Sequence, residues 1–482
     1  MKFNILKEER SLNELNTNKD HNFDNCVDLD FVISSTPCEI ERVGPTVFER
    51  ISIDSRDIKG RELFIALKGK RFDGHDFIKS AIKKGAFGII SERSLTEMSD
   101  VLGDLVFETD FSFVKVKDTL SAMHDIAREF RKRIDQVIGV TGSIGKTTTK
   151  EILKTILKRY HPVSTFENFN NEIGLPLSLF KAKRHEKFGI FEMAMRAKGE
   201  ISQLSAIALP DIGIITRIAE SHIGLLGSME NIARAKGEIL DYVDTAVLNY
   251  DCEYSRNIFS EMIKNKRNKP KEVFWFGNDK DLYIKSYEIS LKGSKIYVSG
   301  KFGDFNLFAP NIFFPQFEPL MASLVVSRFL GLSWNEINEN LQSYCPLQGR
   351  FSIKKLKDQI IIDDSYNATC RSFLSGLDTI KYLGFIDKRK IFVLGDMLEV
   401  GVKSQALHNK VVKKLEELDP FLVYFVGTEF VKSIDSSSKL RFKNIDIDAV
   451  KEDLVKILAP GDVVYIKGSN STKTWKILEL WS

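Results

Sequence analysis

The amino-acid sequence predicts an α/β protein of three domains, and three observations lead to this prediction. The chain has 482 residues, whereas a single hydrophobic core rarely grows beyond about 250–300 residues. Short apolar runs alternate with helical patterns along the chain, which is typical of parallel α/β sheets. The composition is 43% hydrophobic and 28% charged, as in ordinary globular proteins, and this argues against a disordered chain.

The charge balance and the cysteines exclude several classes of protein. Lys plus Arg number 70 and Asp plus Glu number 66, and the resulting net charge of +4 is too small for a dedicated nucleic-acid binder. Five scattered cysteines form no CxxC pair, which argues against a zinc site or a disulfide scaffold and favours reduced thiols. The N-terminus lacks the apolar core of a signal peptide, and no run of 18 apolar residues occurs. We therefore expect a cytoplasmic protein without a membrane span.

The first domain, a smaller α/β domain, is predicted over residues 1–130. Strands are expected at Leu63–Leu67 and Phe87–Ile90, with a helix near Asp76–Lys84 between them. The first 40 residues are polar, and they fit a partly disordered leader as well as an added strand or helix.

The central domain is predicted over residues 131–348 as a parallel sheet. The strand Val137–Val140 ends in glycines, and Thr147–Tyr160 then carries apolar residues at helical spacing. Four further strands and an antiparallel patch follow, at Gly189–Met193, Gly213–Thr216, Thr245–Asn249, Val273–Gly277 and near Lys295–Val298.

The last domain is predicted over residues 349–482. It follows PLQGRF at 346–351 and begins a new α/β series, so we expect a Rossmann-like sheet. Its strands are expected at Ile360–Asp364, Lys390–Gly395, Leu422–Gly427 and Val463–Gly468.

The strongest local signal is the segment VIGVTGSIGKTTTKEIL, in which a strand leads into a glycine-rich turn and then a helix. Backbone N–H groups and the helix N-terminus would face phosphates, and the glycines allow close approach. Lys146 would place a charge on the outer phosphates, and the Thr147 hydroxyl suits Mg²⁺. Val140 stands where the longer phosphate-loop pattern has glycine, so the match is to a shorter variant, GxxGKTT. The central domain is therefore expected to be ATPase-like. An ordinary glycine-rich turn is the alternative.

A series of motifs in a fixed order resembles the Mur ligases, the amide-forming enzymes of peptidoglycan precursor synthesis. The resemblance runs from about residue 51 to the C-terminus and includes TGSIGKTTTKE itself. Before the loop stand DSR at 54–56 and LKGKRFDGHDF at 67–77. The motifs after it are ENFNNEIGLPLSL at 167–179, FEMAMRAKGEI at 191–201, SHIGLLGS at 221–228, IARAKGEIL at 232–240, DDSYNA at 363–368 and LGDMLEVG at 394–401.

The resemblance implies an ATP-dependent amide ligase. ATP would phosphorylate an acceptor carboxylate, and an amine would then attack the acyl phosphate, so that ADP and phosphate are released. Within the family, the motifs imply UDP-N-acetylmuramoyl-tripeptide as the acceptor and D-alanyl-D-alanine as the amine. The expected cofactors are ATP and Mg²⁺. We expect a monomer that binds neither nucleic acid nor membrane.

The resemblance also implies which residues bind the substrates. The expected ATP contacts are Thr141, Gly142, Ser143, Gly145, Lys146, Thr147, Thr148, Asn249, Asp251 and Arg350. The expected contacts to the UDP-linked peptide and the amine are Ser55, Arg56, Arg71, Asp73, His75, Asn168, Asn170, Asn171, Asp364, Tyr366 and Asn367.

Four residues are expected to be catalytic: Lys146, Glu192, His222 and Lys236. Glu192 ends a strand on the phosphate-loop side of a parallel sheet, where ligands bind, and its carboxylate suits Mg²⁺. The expected metal ligands are Thr147, Glu192, His222 and Lys236, the last two by resemblance. The resemblance further implies that Lys236 carries CO₂ as a carbamate, which requires a neutral amine such as a buried lysine provides.

The chain departs from the family pattern at several positions. Ala194 stands where glycine is usual, and Arg217 where asparagine is usual. The family's HNxxN segment is replaced by PQFEP at 315–319. In the last domain, which is expected to bring the amine, Thr369, Cys370 and Asn470 differ from the usual residues.

Three alternatives remain open from sequence. Folylpolyglutamate synthases resemble the later domains, but about 135 residues precede the phosphate loop here. A Mur ligase that adds the third stem residue would be expected to carry a DNPR-like segment, which we do not find. A nucleotide-binding switch that forms no bond is the third. The nature of the third stem residue, lysine or diaminopimelate, is also open.

Overall fold

A computed structural model describes residues 26–220, 226–265, 270–398 and 400–481. They form two compact units: one runs to Arg133 and includes Phe180–His185, and the other comprises Ile134–Leu179 and the chain from Glu186 onward. The α/β prediction is confirmed, since parallel sheets alternate with helices in both units. The expected boundary near 130 lies close to the division at Arg133, whereas most of residues 131–348 share one unit, with two separate sheets, with residues 349–482.

The first unit contains a five-stranded sheet in the order β2-β7-β6-β5-β4 and a two-stranded sheet of β1 and β3. Strands β4 to β7 are parallel, and β2 is antiparallel to β7. The strands are Val27–Asp28 (β1), Cys38–Arg42 (β2), Val47–Phe48 (β3), Ile51–Ser52 (β4), Leu63–Ile65 (β5), Gly88–Ser91 (β6) and Ser112–Val116 (β7).

Helices cover this sheet. The α-helices are Leu29–Ser35, Ile78–Lys83, Leu95–Leu102, Leu105–Glu108 and Thr119–Arg131, and a 3-10 turn, Gly74–Phe77, precedes the second. The two predicted strands and the helix between them are confirmed. Residues 27–42 form a helix flanked by strands, so this part of the N-terminus is not a disordered leader. Residues 1–25 lie outside the described residues.

The central sheet of the second unit has nine strands in the order β16-β15-β14-β13-β12-β11-β8-β10-β9. Strands β8 to β13 are parallel, and β14 to β16 form the predicted antiparallel patch. The strands are Ile134–Thr141 (β8), Val163–Ser164 (β9), Glu186–Glu192 (β10), Ile212–Ile215 (β11), Thr245–Asn249 (β12), Glu272–Phe276 (β13), Leu282–Ser290 (β14), Gly293–Gly300 (β15) and Phe305–Pro310 (β16).

The helix after β8 is shorter than predicted. It spans Lys146–Ile156, and a 3-10 turn, Lys158–Tyr160, follows and ends where His161 takes a left-handed conformation. The apolar stripe continues through that turn, so periodicity alone does not mark the break. The other helices around this sheet are Gly174–Leu179, Glu200–Ala208, Met229–Gly237, Glu253–Lys264, Phe314–Phe329 and Trp334–Leu341, with a 3-10 turn at Glu238–Asp241.

The last sheet has six strands in the order β17-β18-β22-β19-β20-β21, and all but β17 are parallel. The strands are Ser352–Leu356 (β17), Gln359–Asp364 (β18), Lys390–Gly395 (β19), Leu422–Val426 (β20), Phe442–Asn444 (β21) and Val463–Lys467 (β22). The helices are Cys370–Leu383, Ser404–Glu416, Glu429–Lys432 and Ile447–Ile457, with 3-10 turns at Gly401–Lys403, Asn470–Thr472 and Thr474–Trp481.

The helix Phe314–Phe329 is apolar on nearly every side, and its residues from Leu320 to Val326 are almost all buried. It packs in one core with the phosphate-loop helix through residues such as Leu153 and Leu324. This packing brings its first turn to the carboxyl edge of the central sheet, where ligands of parallel sheets bind. Among the described residues, no helix combines the length and the apolar composition that a membrane crossing requires.

Candidate active site

The phosphate loop follows β8 and turns on two glycines. Gly142 has φ 146° and Gly145 has φ 92°, conformations that side chains with a Cβ rarely adopt. A Cβ on Gly142 would lie 2.0 Å from Thr216 Oγ1, so glycine is required there. The helix starts directly after Gly145, and its first N–H groups are available to an anion.

The end of the neighbouring strand β11 holds the loop from one side. The N–H groups of Ser143 and Ile144 donate to the carbonyl of Arg217 at 2.7 and 3.2 Å. The Thr216 hydroxyl donates to the carbonyl of Ile144 at 2.6 Å. The loop conformation therefore depends on the two residues that follow β11.

Two lysines converge on one carbonyl of the loop. Lys146 Nζ and Lys236 Nζ each donate to the Gly142 carbonyl at 2.9 Å. Lys236 is 2% exposed, although it lies on a helix where a solvated lysine would be ordinary. Burial, and then the charge of Lys146, lowers the pKa of Lys236 well below its usual value, while Glu192 opposes the shift. Burial therefore favours the neutral amine of Lys236 over the ammonium ion.

Glu192 ends strand β10 as predicted, and it lies next to the phosphate-loop helix. Its Oε2 accepts from the Thr147 hydroxyl at 2.8 Å and its Oε1 from Asn170 Nδ2 at 2.9 Å. Its N–H donates to Thr165 Oγ1 at 2.8 Å, and the Thr165 carbonyl accepts from the buried Lys150 Nζ at 2.8 Å. Lys150 and Thr165, which the sequence analysis did not single out, therefore hold the main chain at Glu192.

Arg350 reaches the phosphate loop from the segment before β17. Its Nη2 donates to Thr147 Oγ1 at 3.2 Å, and its guanidinium lies 3.7 Å from the centre of the Tyr366 ring. Gly349, at φ 75°, donates to Asp363 Oδ2 at 2.7 Å. Gln316 Nε2 donates to the carbonyl of Arg350 at 2.9 Å. These contacts bring Arg350 and Tyr366, both predicted ligand contacts, to the same edge as Lys146.

The turn after β12 carries the other expected ATP contacts. Asn249 Oδ1 accepts from the Asp251 N–H at 3.0 Å, and Asn249 Nδ2 is buried without a hydrogen-bond partner among the described residues. Burial, and then the nearby Glu318 carboxylate, raises the pKa of Asp251, whereas Arg217 opposes the shift. The Asp251 carbonyl accepts from Arg217 Nη1 at 3.4 Å, so this turn is tied to the phosphate-loop side of the sheet.

The expected contacts of the last sheet lie at the ends of β18 and β22. Lys467 Nζ, which sequence did not indicate, donates to Asp364 Oδ2 at 2.7 Å and to the carbonyl of Asn367 at 3.0 Å. Burial raises the pKa of Asp364 and lowers the pKa of Lys467, and each charge opposes the shift of the other. Asp364 is consequently an ion-paired residue that shapes the loop, whereas Tyr366 and Asn367 are exposed.

The asparagines in the loop after β9 have different hydrogen-bond partners. Asn170 contacts Glu192, and the carbonyl of Asn168 accepts from the N–H of Asn170 at 2.8 Å. Asn171 Oδ1 instead accepts from the Gly174 N–H at 2.8 Å, so it caps the helix that starts there. Of the three predicted asparagines, Asn170 is the one that the structure brings to the predicted metal ligands Thr147 and Glu192.

In the first unit, His75 is buried and fully engaged within the protein. Its Nδ1 and Asp73 Oδ1 are 2.5 Å apart, and its Nε2 accepts from the Glu92 N–H at 3.0 Å. The acceptor role of Nε2 assigns the proton to Nδ1. Asp73 also pairs with Arg93 at 2.8 Å. His75 therefore positions the segment 67–77, in which Arg71 is exposed, rather than presenting a ring nitrogen to a ligand.

Ser55 and Arg56 lie shortly after β4, an edge strand of the five-stranded sheet in the first unit. Arg56 pairs with Asp54 at 2.6 Å and is 86% exposed, while Ser55 is buried.

Replacing Arg56 or His75 by alanine should weaken binding of the UDP-linked peptide and leave nucleotide binding unchanged, because both residues belong to the first unit. Isothermal calorimetry with each ligand measures this. Arg128→Ala, on a helix of the same unit, is the control, and weakened nucleotide binding with intact peptide binding would contradict the assignment.

Within the second unit, the structure brings Lys146, Thr147, Glu192, Lys236 and Arg350 together at the phosphate loop. Thr141 and Thr148 lie on either side of the loop, at the end of β8 and in the first turn of the helix. His222 lies outside the described residues, so its predicted place beside Lys236 stays a prediction.

These features define a nucleotide-binding α/β protein whose phosphate loop adjoins a buried carboxylate and a buried lysine. Family comparisons agree with that class. The Mur ligase middle domain matches residues 140–311, the Mur ligase glutamate ligase domain matches 349–470, and the Mur ligase family catalytic domain matches 47–131. The chain belongs to the Mur ligase family, as the sequence motifs predicted.

Individual relatives cover nearly the whole chain. UDP-N-acetylmuramoyl-tripeptide–D-alanyl-D-alanine ligase from Synechocystis is 31% identical over 438 residues, which are 87% of this chain and 89% of that protein. The crystal structure of MurF ligase from Thermotoga maritima in complex with ADP is 29% identical, with a TM-score of 0.77 over 90% of this chain and 96% of that one. MurF from Acinetobacter baumannii, 24% identical, shares the fold with a TM-score of 0.82 over 95% and 98%.

Proposed function

We propose that this protein is an ATP-dependent amide ligase that joins D-alanyl-D-alanine to UDP-N-acetylmuramoyl-tripeptide in peptidoglycan precursor synthesis. It acts as a monomer in the cytoplasm. The observation that carries the proposal is the convergence of Lys146, Thr147 and Glu192 at the phosphate loop. The reaction named for the Synechocystis relative supports the choice of substrates.

The chemistry follows from charge and position. A carboxylate oxygen of the tripeptide attacks the γ-phosphorus of ATP, the bond to the β-phosphate oxygen breaks, and ADP leaves. The amine nitrogen of D-alanyl-D-alanine then attacks the acyl phosphate, loses a proton, and phosphate leaves. Such phosphoryl transfers depend on positioning and on neutralising charge at the transferred group. Lys146 and Arg350 supply positive charge at the loop.

We propose a division of labour along the chain. Residues 1–130 hold the UDP end through Ser55, Arg56, Arg71 and Asp73, with His75 as a positioning residue. Residues 131–348 hold ATP, and residues 349–482 bring the amine. The exposure of Tyr366 and Asn367 at the end of β18 supports a role for the last part in substrate binding.

The donor set at the loop fits Mg²⁺. Glu192 is a buried carboxylate, and the Thr147 hydroxyl lies 2.8 Å from it, so two hard oxygen ligands are already adjacent. Mg²⁺ bound there would neutralise phosphate charge during transfer. Thr147 and Glu192 are the residues that would hold it, together with His222 and a carbamate on Lys236.

Carbamylation of Lys236 is part of the proposal. The neutral amine would attack the carbon of CO₂, form an N–C bond and release a proton, so that a side chain that is ordinarily cationic would become a carboxylate. The burial of Lys236 against Gly142 supports this, because an ammonium ion is disfavoured there.

Mixing the protein with ATP, the UDP-tripeptide and D-alanyl-D-alanine tests the proposal. We expect ADP release that requires both the peptide and the amine, and a product whose mass is that of the joined molecule. Release that is independent of the amine would favour a nucleotide switch. Product formation with the UDP-dipeptide and a diamino acid instead would favour the ligase that adds the third stem residue. The same assay with lysine- and diaminopimelate-containing peptides identifies the preferred acceptor.

A further inference from the structure

Arg217, which stands where the family resemblance leads one to expect asparagine, meets Glu318 of the PQFEP segment in space. Arg217 follows β11, and Glu318 is the fifth residue of the helix Phe314–Phe329, 101 residues later. Arg217 Nε donates to Glu318 Oε2 at 2.7 Å, and Nη2 donates to Oε1 at 2.5 Å. The two side chains are 14% and 21% exposed. This is a two-pronged, largely buried ion pair, which is stronger and geometrically more restrictive than an exposed pair.

The pair is attached to the phosphate loop at two points. The carbonyl of Arg217 accepts the N–H groups of Ser143 and Ile144, so main chain and side chain of one residue join the loop to Glu318. Pro319, next to Glu318, lies against the loop as well, because a Cβ on Gly145 would be 3.0 Å from its Cγ. The guanidinium also donates to the carbonyl of Asp251.

A second arginine lies close to the carboxylate of this ion pair. Arg371, at the start of the helix Cys370–Leu383, lies 3.6 Å from Glu318 Oε1 and places a second cation on the same carboxylate. The carboxylate of Glu318 thus contacts two arginines, Arg217 after β11 and Arg371 in the helix Cys370–Leu383. Removing its charge would leave Arg217 partly buried without its partner, a state that proteins tolerate poorly.

We propose that Arg217 and Glu318 are a pair of positioning residues that hold the phosphate loop in its nucleotide-binding conformation. The bidentate contact fixes Arg217, and Arg217 fixes the loop amides. A loop held in its bound conformation loses less freedom on binding, and nucleotide affinity rises accordingly. The inference rests on the proposed function only for the identity of the nucleotide.

Two measurements on the full chain test this inference. Amide hydrogen exchange without nucleotide reports on the Ser143 and Ile144 N–H groups, and calorimetry with ADP reports affinity. Glu318→Gln should accelerate exchange at these amides and weaken ADP binding by about tenfold, a typical coupling for buried contacting charges. Glu261→Gln is the matched control, because it removes a carboxylate from the exposed pair with Arg234 and should change neither quantity.

Arg217→Gln and the double variant Arg217→Gln/Glu318→Gln complete the test. If the residues act as a pair, the double variant should lose about as much ADP affinity as either single variant. Arg217→Lys keeps the positive charge but loses the two-pronged guanidinium contact, so its ADP affinity should lie between those of wild type and Arg217→Gln. This variant replaces the glutamine variants in the test if they fail to fold. Unchanged loop exchange, unchanged ADP affinity or additive losses would each overturn the inference. Failure of the wild-type protein to bind ADP would overturn the proposed function, while loop exchange would still decide whether the pair holds the loop.

Discussion

Replacing Lys146 by alanine should reduce ligation by about 10²–10³-fold, the usual cost of removing one electrostatic contact to a developing charge. Lys146 begins the phosphate-loop helix, and its Nζ donates to the main-chain carbonyl of Gly142 in the loop at 2.9 Å. The side chain is partly exposed, so its loss creates no cavity in the core. The effect should therefore appear in turnover rather than in folding.

Lys154→Ala is the matched control for this prediction. Lys154 lies on the same helix and is exposed, so its replacement removes a lysine of equal charge away from the loop. Thermal unfolding should be similar for wild type and both variants, and product formation should fall in Lys146→Ala alone. Turnover near the wild-type rate in purified, folded Lys146→Ala would remove the assignment of the loop to ATP.

Most of the fold could be predicted because the central strands of its parallel sheets are buried on both faces. Val137–Val140 and Ala246–Leu248 are short apolar runs, and such runs in alternation with amphipathic helices indicate parallel sheets whatever the order of their strands. The order was beyond sequence reasoning. Strand β8 lies between β10 and β11, because crossover connections, rather than proximity in the chain, determine neighbours in a parallel sheet.

The site was predictable where chemistry and strand ends coincide. Glu192 follows an apolar run, and the carboxyl end of a parallel strand lies at the edge where Lys146 and Thr147 begin their helix. The contact between Thr147 and Glu192 confirms that geometry, although its role with a metal stays a prediction.

Residue spacing alone does not predict contacts across long sequence separations, and the expectation for Lys236 came from the family resemblance. Lys236 and Gly142 are 94 residues apart, and on a helical wheel Lys236 resembles a solvated residue. His75 is a second example: its motif indicates ligand binding, its two ring nitrogens contact Asp73 and the Glu92 N–H, and its role toward the substrate stays a prediction. Burial and side-chain direction, which depend on packing between elements, decide these roles.

Replacing Lys236 by alanine should abolish ligation, and a small carboxylate such as acetate should restore part of it. An ammonium ion at this position would repel Mg²⁺ bound by Glu192, whereas a carbamate would provide an additional oxygen ligand and be stabilised by the metal in turn. Acetate can occupy the vacated space and supply the same oxygens. Ligation rates measured over a range of acetate concentrations, with chloride as the control anion, test the rescue.

Lys150→Ala separates a carboxylate requirement from general damage to the site. Lys150 is also a buried lysine bonded to a main-chain carbonyl near the phosphate loop, yet nothing in its surroundings calls for a carbamate. Its loss should lower activity through the position of Glu192, and acetate should not restore that activity.

The burial that lowers the pKa of Lys236 favours the neutral amine, so carbamate occupancy should fall as pH falls, because protonation removes the nucleophile. A crystal grown at neutral pH with Mg²⁺ and nucleotide should show three additional atoms on Lys236 Nζ. An unmodified Lys236 amine in such a crystal would count against the carbamate even if Lys236→Ala is inactive, since a simple buried lysine would explain the loss equally well.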